Sequence, residues 1–91
     1  SAELLYIHGF ISSPQSIKAQ QTRAYLEHLD AGLHCQIPSL PNTPGASLAL
    51  LEKELQAALG QADRVALIGS SLGGFFATVL AEKYAVPAVL V

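Results

Sequence analysis

The sequence predicts an α/β protein built on a parallel sheet, and three observations carry that prediction. Short apolar runs such as Leu4-Leu5-Tyr6-Ile7 and Val65-Ala66-Leu67-Ile68 alternate with longer stretches of helical period, which gives the order βαβαβαβ. Both runs are continuously apolar, as strands buried on two faces are. The composition, 51% hydrophobic and 13% charged, is richer in apolar residues than an average soluble domain at roughly 45–50% and about 25%. Strands that alternate with helices imply right-handed crossovers and helices on both faces of the sheet. Ninety-one residues leave room for one core and no second domain.

The first strand is Leu4–Ile7, closed by Gly9. Ser13 is positioned to cap the next helix, with Pro14 in its first turn, and Ile17, Ala24, Tyr25, Leu26 and Leu29 supply an apolar face before Gly32 stops it. Leu33, Cys35 and Ile37 alternate with polar neighbours, the pattern of a half-exposed strand nearer a sheet edge. Pro38, Pro41, Pro44 and Gly45 then form a rigid connection. Ser47 is expected to open a second helix whose Leu48, Leu51, Leu55, Ala58 and Leu59 follow the 3.6-residue period, with Glu52 facing away and Gly60 as the stop. Residues 64–68 form a third strand, 72–84 a third helix and 88–91 a last strand after Pro87.

Composition excludes several functions. Five Lys+Arg and seven Asp+Glu are scattered singly for a net charge of −2, with no basic stripe to neutralise phosphates, so nucleic acid is not an expected partner. Residues 65–81 carry no charge and reach the lower end of the range that spans a bilayer, about 17–25 residues. Gly69-Ser70-Ser71 and Gly73-Gly74 interrupt that run at a strand-to-helix junction, which argues against a membrane span. Cys35 is the only cysteine, and its apolar setting reads as a small buried hydrophobe. No disulfide framework or secretory leader is read, and a cytoplasmic location is expected. There is no G-x-G-x-x-G after a strand, no phosphate loop and no His/Cys cluster, so neither a cofactor nor a metal is implied.

Gly69-Ser70-Ser71-Leu72-Gly73 is a G-x-S-x-G pentapeptide placed between a strand and a helix. In that context the serine sits on a strained turn, and the glycines two positions either side allow close backbone approaches. Ser71 is thus the candidate nucleophile, with Gly69 and Gly73 supporting the turn; the bland alternative is an ordinary turn serine. The helix starting at Leu72 directs free N–H groups and its positive dipole end at the reaction centre. His8-Gly9-Phe10 leaves the first strand where a second donor is needed. The backbone N–H groups of Phe10 and Leu72 are the candidate oxyanion hole, with Gly9 permitting the turn. His8 reads as a histidine ordering this loop rather than as a general base, because it precedes the serine, against the hydrolase order of serine, acid, histidine. His28, His34, Asp30, Asp63 and Glu82 read as surface or packing residues, which leaves Ser71 without a base or an acid and the 91 residues alone nearly inactive.

Leu5-Tyr6-Ile7-His8-Gly9-Phe10-Ile11-Ser12-Ser13-Pro14, together with Ile68-Gly69-Ser70-Ser71-Leu72-Gly73-Gly74-Phe75-Phe76-Ala77-Thr78, resembles the YqiA-type esterases of the α/β-hydrolase superfamily. The resemblance covers the N-terminal half of such a protein. It implies a truncated hydrolase-type sheet with local strand order 2-1-3-4 and a ligand cleft between strands one and three. It further implies a bacterial cytoplasmic serine esterase acting on small carboxylic ester or thioester substrates through an acyl-serine at Ser71. The family's acid and histidine would lie beyond residue 91. The competing reading is a non-catalytic α/β binding domain that kept the turn. An uncovered sheet edge in such a fragment favours self-association.

Overall fold

The structure is a computed structural model that describes residues 1–9 and 13–91, with the backbone alone for 13–16. Leu4, Leu5, Tyr6 and Ile7 are all buried and alternate between two cores, one on each face of the sheet. The seven elements are β1 (Ala2–Ile7), α1 (Ser13–Leu29), β2 (Leu33–Gln36), α2 (Pro44–Gln61), β3 (Arg64–Gly69), α3 (Leu72–Tyr84) and β4 (Ala88–Leu90). All strand pairs are parallel, and the order is β2-β1-β3-β4. This is the α/β architecture and strand order expected from the sequence.

Leu5, Ile7, Val65 and Leu67 face α2 and α3, where they pack with Leu51, Leu55, Ala58, Phe76, Ala77 and Leu80. Leu4, Tyr6 and Cys35 face α1 and pack on Ala19 and Leu26, with Ala66 and Ile68 alongside. Helices therefore cover both faces. Cys35 is the buried small hydrophobe its pattern predicts; burial first, and then the Glu27 carboxylate, push its thiol up to about 11. The uncharged run 65–81 is divided among β3, a turn and α3, and no helix among the described residues is long and apolar enough to cross a membrane.

Four expectations need correction. Ile17, Tyr25 and Leu29 are each more than 60% exposed, because α1 meets the sheet through Ala19 and Leu26, seven residues apart and nearly aligned at 3.6 residues per turn. The small Ala19 permits the close approach, and Ile17 lies about 160° around the helix from it. Ala24 is also exposed, so only Leu26 of the predicted face turns inward.

Helix α2 begins at Pro44 rather than Ser47. Thr43 caps it by accepting from the Ala46 N–H at 3.3 Å, and Pro44 occupies the first helical position, where a missing N–H costs nothing. Ser47 lies inside the helix, fully buried, and donates to the Pro41 carbonyl at 3.1 Å. Nor is Gly60 the stop. The helix runs to Gln61 and ends where Ala62 turns extended with its N–H on the Ala58 carbonyl.

The expected outward face of α2 also changes at Glu52. Its carboxylate accepts from the Tyr84 hydroxyl at 3.0 Å and pairs with Lys83 at 2.5 Å. The Lys83 hydrogen bond, followed by that of Tyr84, holds the carboxyl below its usual range. Lys83 and Tyr84 close α3 against α2, and α3 then ends on Ala85 in the left-handed conformation, φ 55° and ψ 44°.

Candidate functional site

Parallel strands place all their carboxyl ends on one side of the sheet, so His8 at the exit of β1 and Ser70-Ser71 at the exit of β3 are neighbours by construction. Ile7 is in register with Gly69, and the Ser70 N–H donates to the Ile7 carbonyl at 2.9 Å. From β1 the chain runs through α1, on one face, to β2. From β3 it runs through α3, on the other face, to β4. Adjacent connections that diverge in this way make a topological switch point, the place where open parallel sheets take ligands, and here it falls at the carboxyl ends of β1 and β3. The cavity lined by Ala2, Asp30, Arg64 and Pro87 lies at the opposite, amino ends of the strands.

Ser71 sits at that switch point with φ 58° and ψ −128°, one of only two described non-glycine residues with positive φ. Such a conformation costs on the order of 1–3 kcal/mol and persists only where the surroundings impose it. Two glycines impose it. A methyl group built on Gly73 would lie 1.9 Å from the Ile7 carbonyl oxygen, and one on Gly69 would lie 2.6 Å from the Gly74 Cα. Helix α3 thus rests directly on the ends of β1 and β3, and the short connection between β3 and α3 has to turn sharply at Ser71. Gly74 has ordinary contacts, the nearest at 3.7 Å to Leu90, so its smallness is not required.

Ser70 and Ser71 are sorted by this turn. Ser70 is buried, whereas Ser71 is exposed and its side chain makes no capping bond to α3. The Gly73 N–H is taken by the Ser70 carbonyl and the Gly74 N–H by the Ser71 carbonyl, both at 2.9 Å. Leu72, the first residue of α3, has an N–H with no acceptor inside the helix. It stands at the positive end of the α3 dipole.

Gly9 forms the opposite wall. A methyl built on it would lie 3.5 Å from Ser71 Cβ, 3.6 Å from Ser71 Oγ and 4.0 Å from Leu72 N. No described glycine has positive φ, so Gly9 serves by being small beside the hydroxyl rather than by permitting an unusual turn. Phe10 lies outside the described residues, as does Ile11.

His8 is buried, and both its ring nitrogens face carbonyl oxygens: Nδ1 lies 2.6 Å from the Gly9 oxygen and Nε2 3.0 Å from the Pro38 oxygen. The ring is therefore committed to loop backbone and not to the Ser71 hydroxyl. Asp30 and Asp63 precede β2 and β3, at the far end of the parallel strands from Ser71. Glu82 lies in the last turns of α3, about 15 Å along the helix at 1.5 Å per residue. Among the described residues, none of these acids and no imidazole free of the loop backbone stands beside Ser71. His34 pairs with Glu3 at 3.0 Å on the surface, and no described group of His, Cys, Asp or Glu residues has metal-site geometry.

The carbonyls of Pro38 and Pro41, which hold His8 and Ser47, have no signature in a sequence, because every residue carries one. Only the clustering of prolines marked this segment as rigid.

The family described as Uncharacterised protein family (UPF0227) matches residues 3–91, all seven elements of the fold. The chain belongs to this family. UPF0227 is the YqiA-like family, an esterase family of the α/β-hydrolase superfamily, as the paired motifs at 5–14 and 68–78 led one to expect. YqiA-like membership fits the sheet order and the turn at Ser71, which are those of an α/β-hydrolase-like protein.

Proposed function

We propose that the protein to which these 91 residues belong is a serine esterase, with Ser71 as its nucleophile and a small carboxylic ester or thioester as its substrate. The observation that carries this reading is the conformation of Ser71. A strained, positive-φ serine with an exposed hydroxyl is held at the switch point by two glycines that admit no side chain. Strain of this kind gathers at sites where a reactive group must be presented.

In this reading the Ser71 hydroxyl oxygen attacks the acyl carbon and its proton passes to a general base. The carbonyl oxygen becomes an oxyanion held by the Leu72 N–H and by the Phe10 N–H, the second donor expected from the sequence. Collapse of the tetrahedral intermediate expels the alcohol or thiol, protonated by the same base, and leaves an acyl-serine. Water then hydrolyses it by the reverse sequence. The base and its orienting acid lie outside residues 1–91, which form the N-terminal part of one hydrolase domain. No cofactor takes part.

The test is labelling of the complete gene product with a fluorophosphonate, which captures activated serines. Labelling should map to Ser71 and vanish in Ser71→Ala, together with hydrolysis of p-nitrophenyl acyl esters. Unimpaired labelling of Ser71→Ala would reject the reading, and absence of labelling in the unaltered protein would favour a non-catalytic domain that retains the turn.

A further inference from the structure

We infer that His8 is a positioning residue that fixes the oxyanion wall by tying it to the exit of β2, and that the bond carrying this function is the one from Nε2 to the Pro38 carbonyl. The inference rests on the reading of Ser71 as nucleophile. It deepens that reading by assigning a task to a buried histidine that makes no bond to the serine.

Gly9 stands within van der Waals distance of Ser71 and Leu72, so where Gly9 lies decides the room above the Leu72 N–H. Gly9 follows the last residue of β1 by two positions and is past the last register pair, Ile7 with Gly69. Sheet hydrogen bonds therefore no longer hold it. The His8 ring reaches from this unpaired segment to Pro38, thirty residues away.

Pro38 is itself anchored. It belongs to the proline-rich connection whose Pro41 carbonyl accepts from the buried Ser47 inside α2, and whose Thr43 caps that helix. The chain of contacts runs from α2 through the connection to His8 and on to Gly9 beside Ser71. The second ring contact, Nδ1 to the Gly9 carbonyl, spans one residue and only folds the loop on itself. It cannot set the height of the wall relative to the rest of the protein. The two contacts use different ring nitrogens, which side chains of different length reach separately, so they are separable by experiment.

Two amide side chains separate them. In His8→Asn the amide nitrogen falls near the position of ring Nδ1 and keeps only the local bond. In His8→Gln it reaches the position of Nε2 and keeps only the bond to Pro38. With the complete gene product, kcat and KM for a p-nitrophenyl acyl ester, the rate of fluorophosphonate labelling and the Tm are measured for His8→Ala, His8→Asn and His8→Gln. The expected result is that Ala and Asn lower kcat and the labelling rate by about 10- to 100-fold, the scale on which small misplacements of a reactive group act. KM should stay within about twofold, and Gln should recover most of kcat.

Asn recovering activity while Gln does not would overturn the inference, as would all three variants retaining full kcat. A uniform loss that tracks Tm across the three would also overturn it, by showing a purely structural histidine. Failure of the function reading looks different: the unaltered protein would then neither hydrolyse the ester nor label.

Discussion

Replacing Gly9 with alanine separates space from conformation at the candidate site. The native backbone at Gly9 lies outside the left-handed region, so alanine adopts it without strain. The added methyl would meet Ser71 Cβ at 3.5 Å, Ser71 Oγ at 3.6 Å and Leu72 N at 4.0 Å, all ordinary contacts. Stability should therefore hold or rise by roughly 0.4–1 kcal/mol, as the unfolded chain loses freedom. Activity should not survive in the same way. An oxyanion must sit about 2.7–3.1 Å from its N–H donor. On the loop side of Leu72 N, an oxygen at that distance falls well inside the ~3.5 Å contact distance of the new methyl carbon. Loss of one oxyanion donor costs about 10²–10³ in kcat, or about 2.7–4 kcal/mol, and Gly9→Ala should reach that range with Tm unchanged or raised. Thermal unfolding and steady-state ester hydrolysis on the same preparation of the complete gene product decide it. Full activity at an unchanged Tm would mean that the space between Gly9 and Ser71 is not where the oxyanion forms.

The other glycines predict a graded series. Gly73→Ala, with its methyl 1.9 Å from the Ile7 oxygen, and Gly69→Ala, at 2.6 Å from Gly74 Cα, should each destabilise by about 3 kcal/mol or more, at or beyond the usual range for overpacking. Gly74→Ala should fold normally and gain up to about 1 kcal/mol of helix propensity, as read by denaturant midpoint. Ala85→Gly should stabilise by about 1 kcal/mol, because Ala85 occupies the left-handed position that ends α3. Cys35, buried and with its thiol raised to about 11, should react with iodoacetamide at pH 8 only on unfolding. An unfolded thiol ionises near pH 8.5–9 and the folded one does not, so its contribution to stability is complete below pH 9 and declines as pH rises toward 11. Fast alkylation of the native protein would show that β2 opens.

The fold was legible where one physical rule acted alone. Leu4–Ile7 and Val65–Ile68 are buried on both sides and therefore apolar throughout, which marks strands of a parallel sheet. Gly69 and Gly73 bracket Ser71 because backbone contacts of 2.6 and 1.9 Å to a built methyl leave no choice of residue. The readings that failed are those in which two rules competed. Pro44 breaks a helix in its interior but begins one well, and the choice depended on Thr43 offering a cap. Gly60 can end a helix but lies at an exposed helical position with nothing within 4 Å, so nothing required the chain to turn there. On α1 the larger apolar residues drew attention, whereas a helix laid on a sheet is fixed by its smallest residue at the closest approach, Ala19. The Pro38 carbonyl that the His8 ring faces has no counterpart in the alphabet of side chains.

The position of β1 in the middle of the sheet has a consequence for synthesis. It is the first of these four strands to be made, yet one edge waits for β2, paired from Leu33, and the other for β3, paired from Arg64 opposite Ala2. At translation rates of about 5–20 residues per second, roughly 3–12 s pass between the emergence of Ala2 and that of its second partner. Throughout that interval Leu4-Leu5-Tyr6-Ile7 presents an unpaired apolar edge. The arrangement that brings Gly9 beside Ser71 also leaves the nascent chain with an unpaired apolar strand for seconds, the kind of edge that associates with other chains.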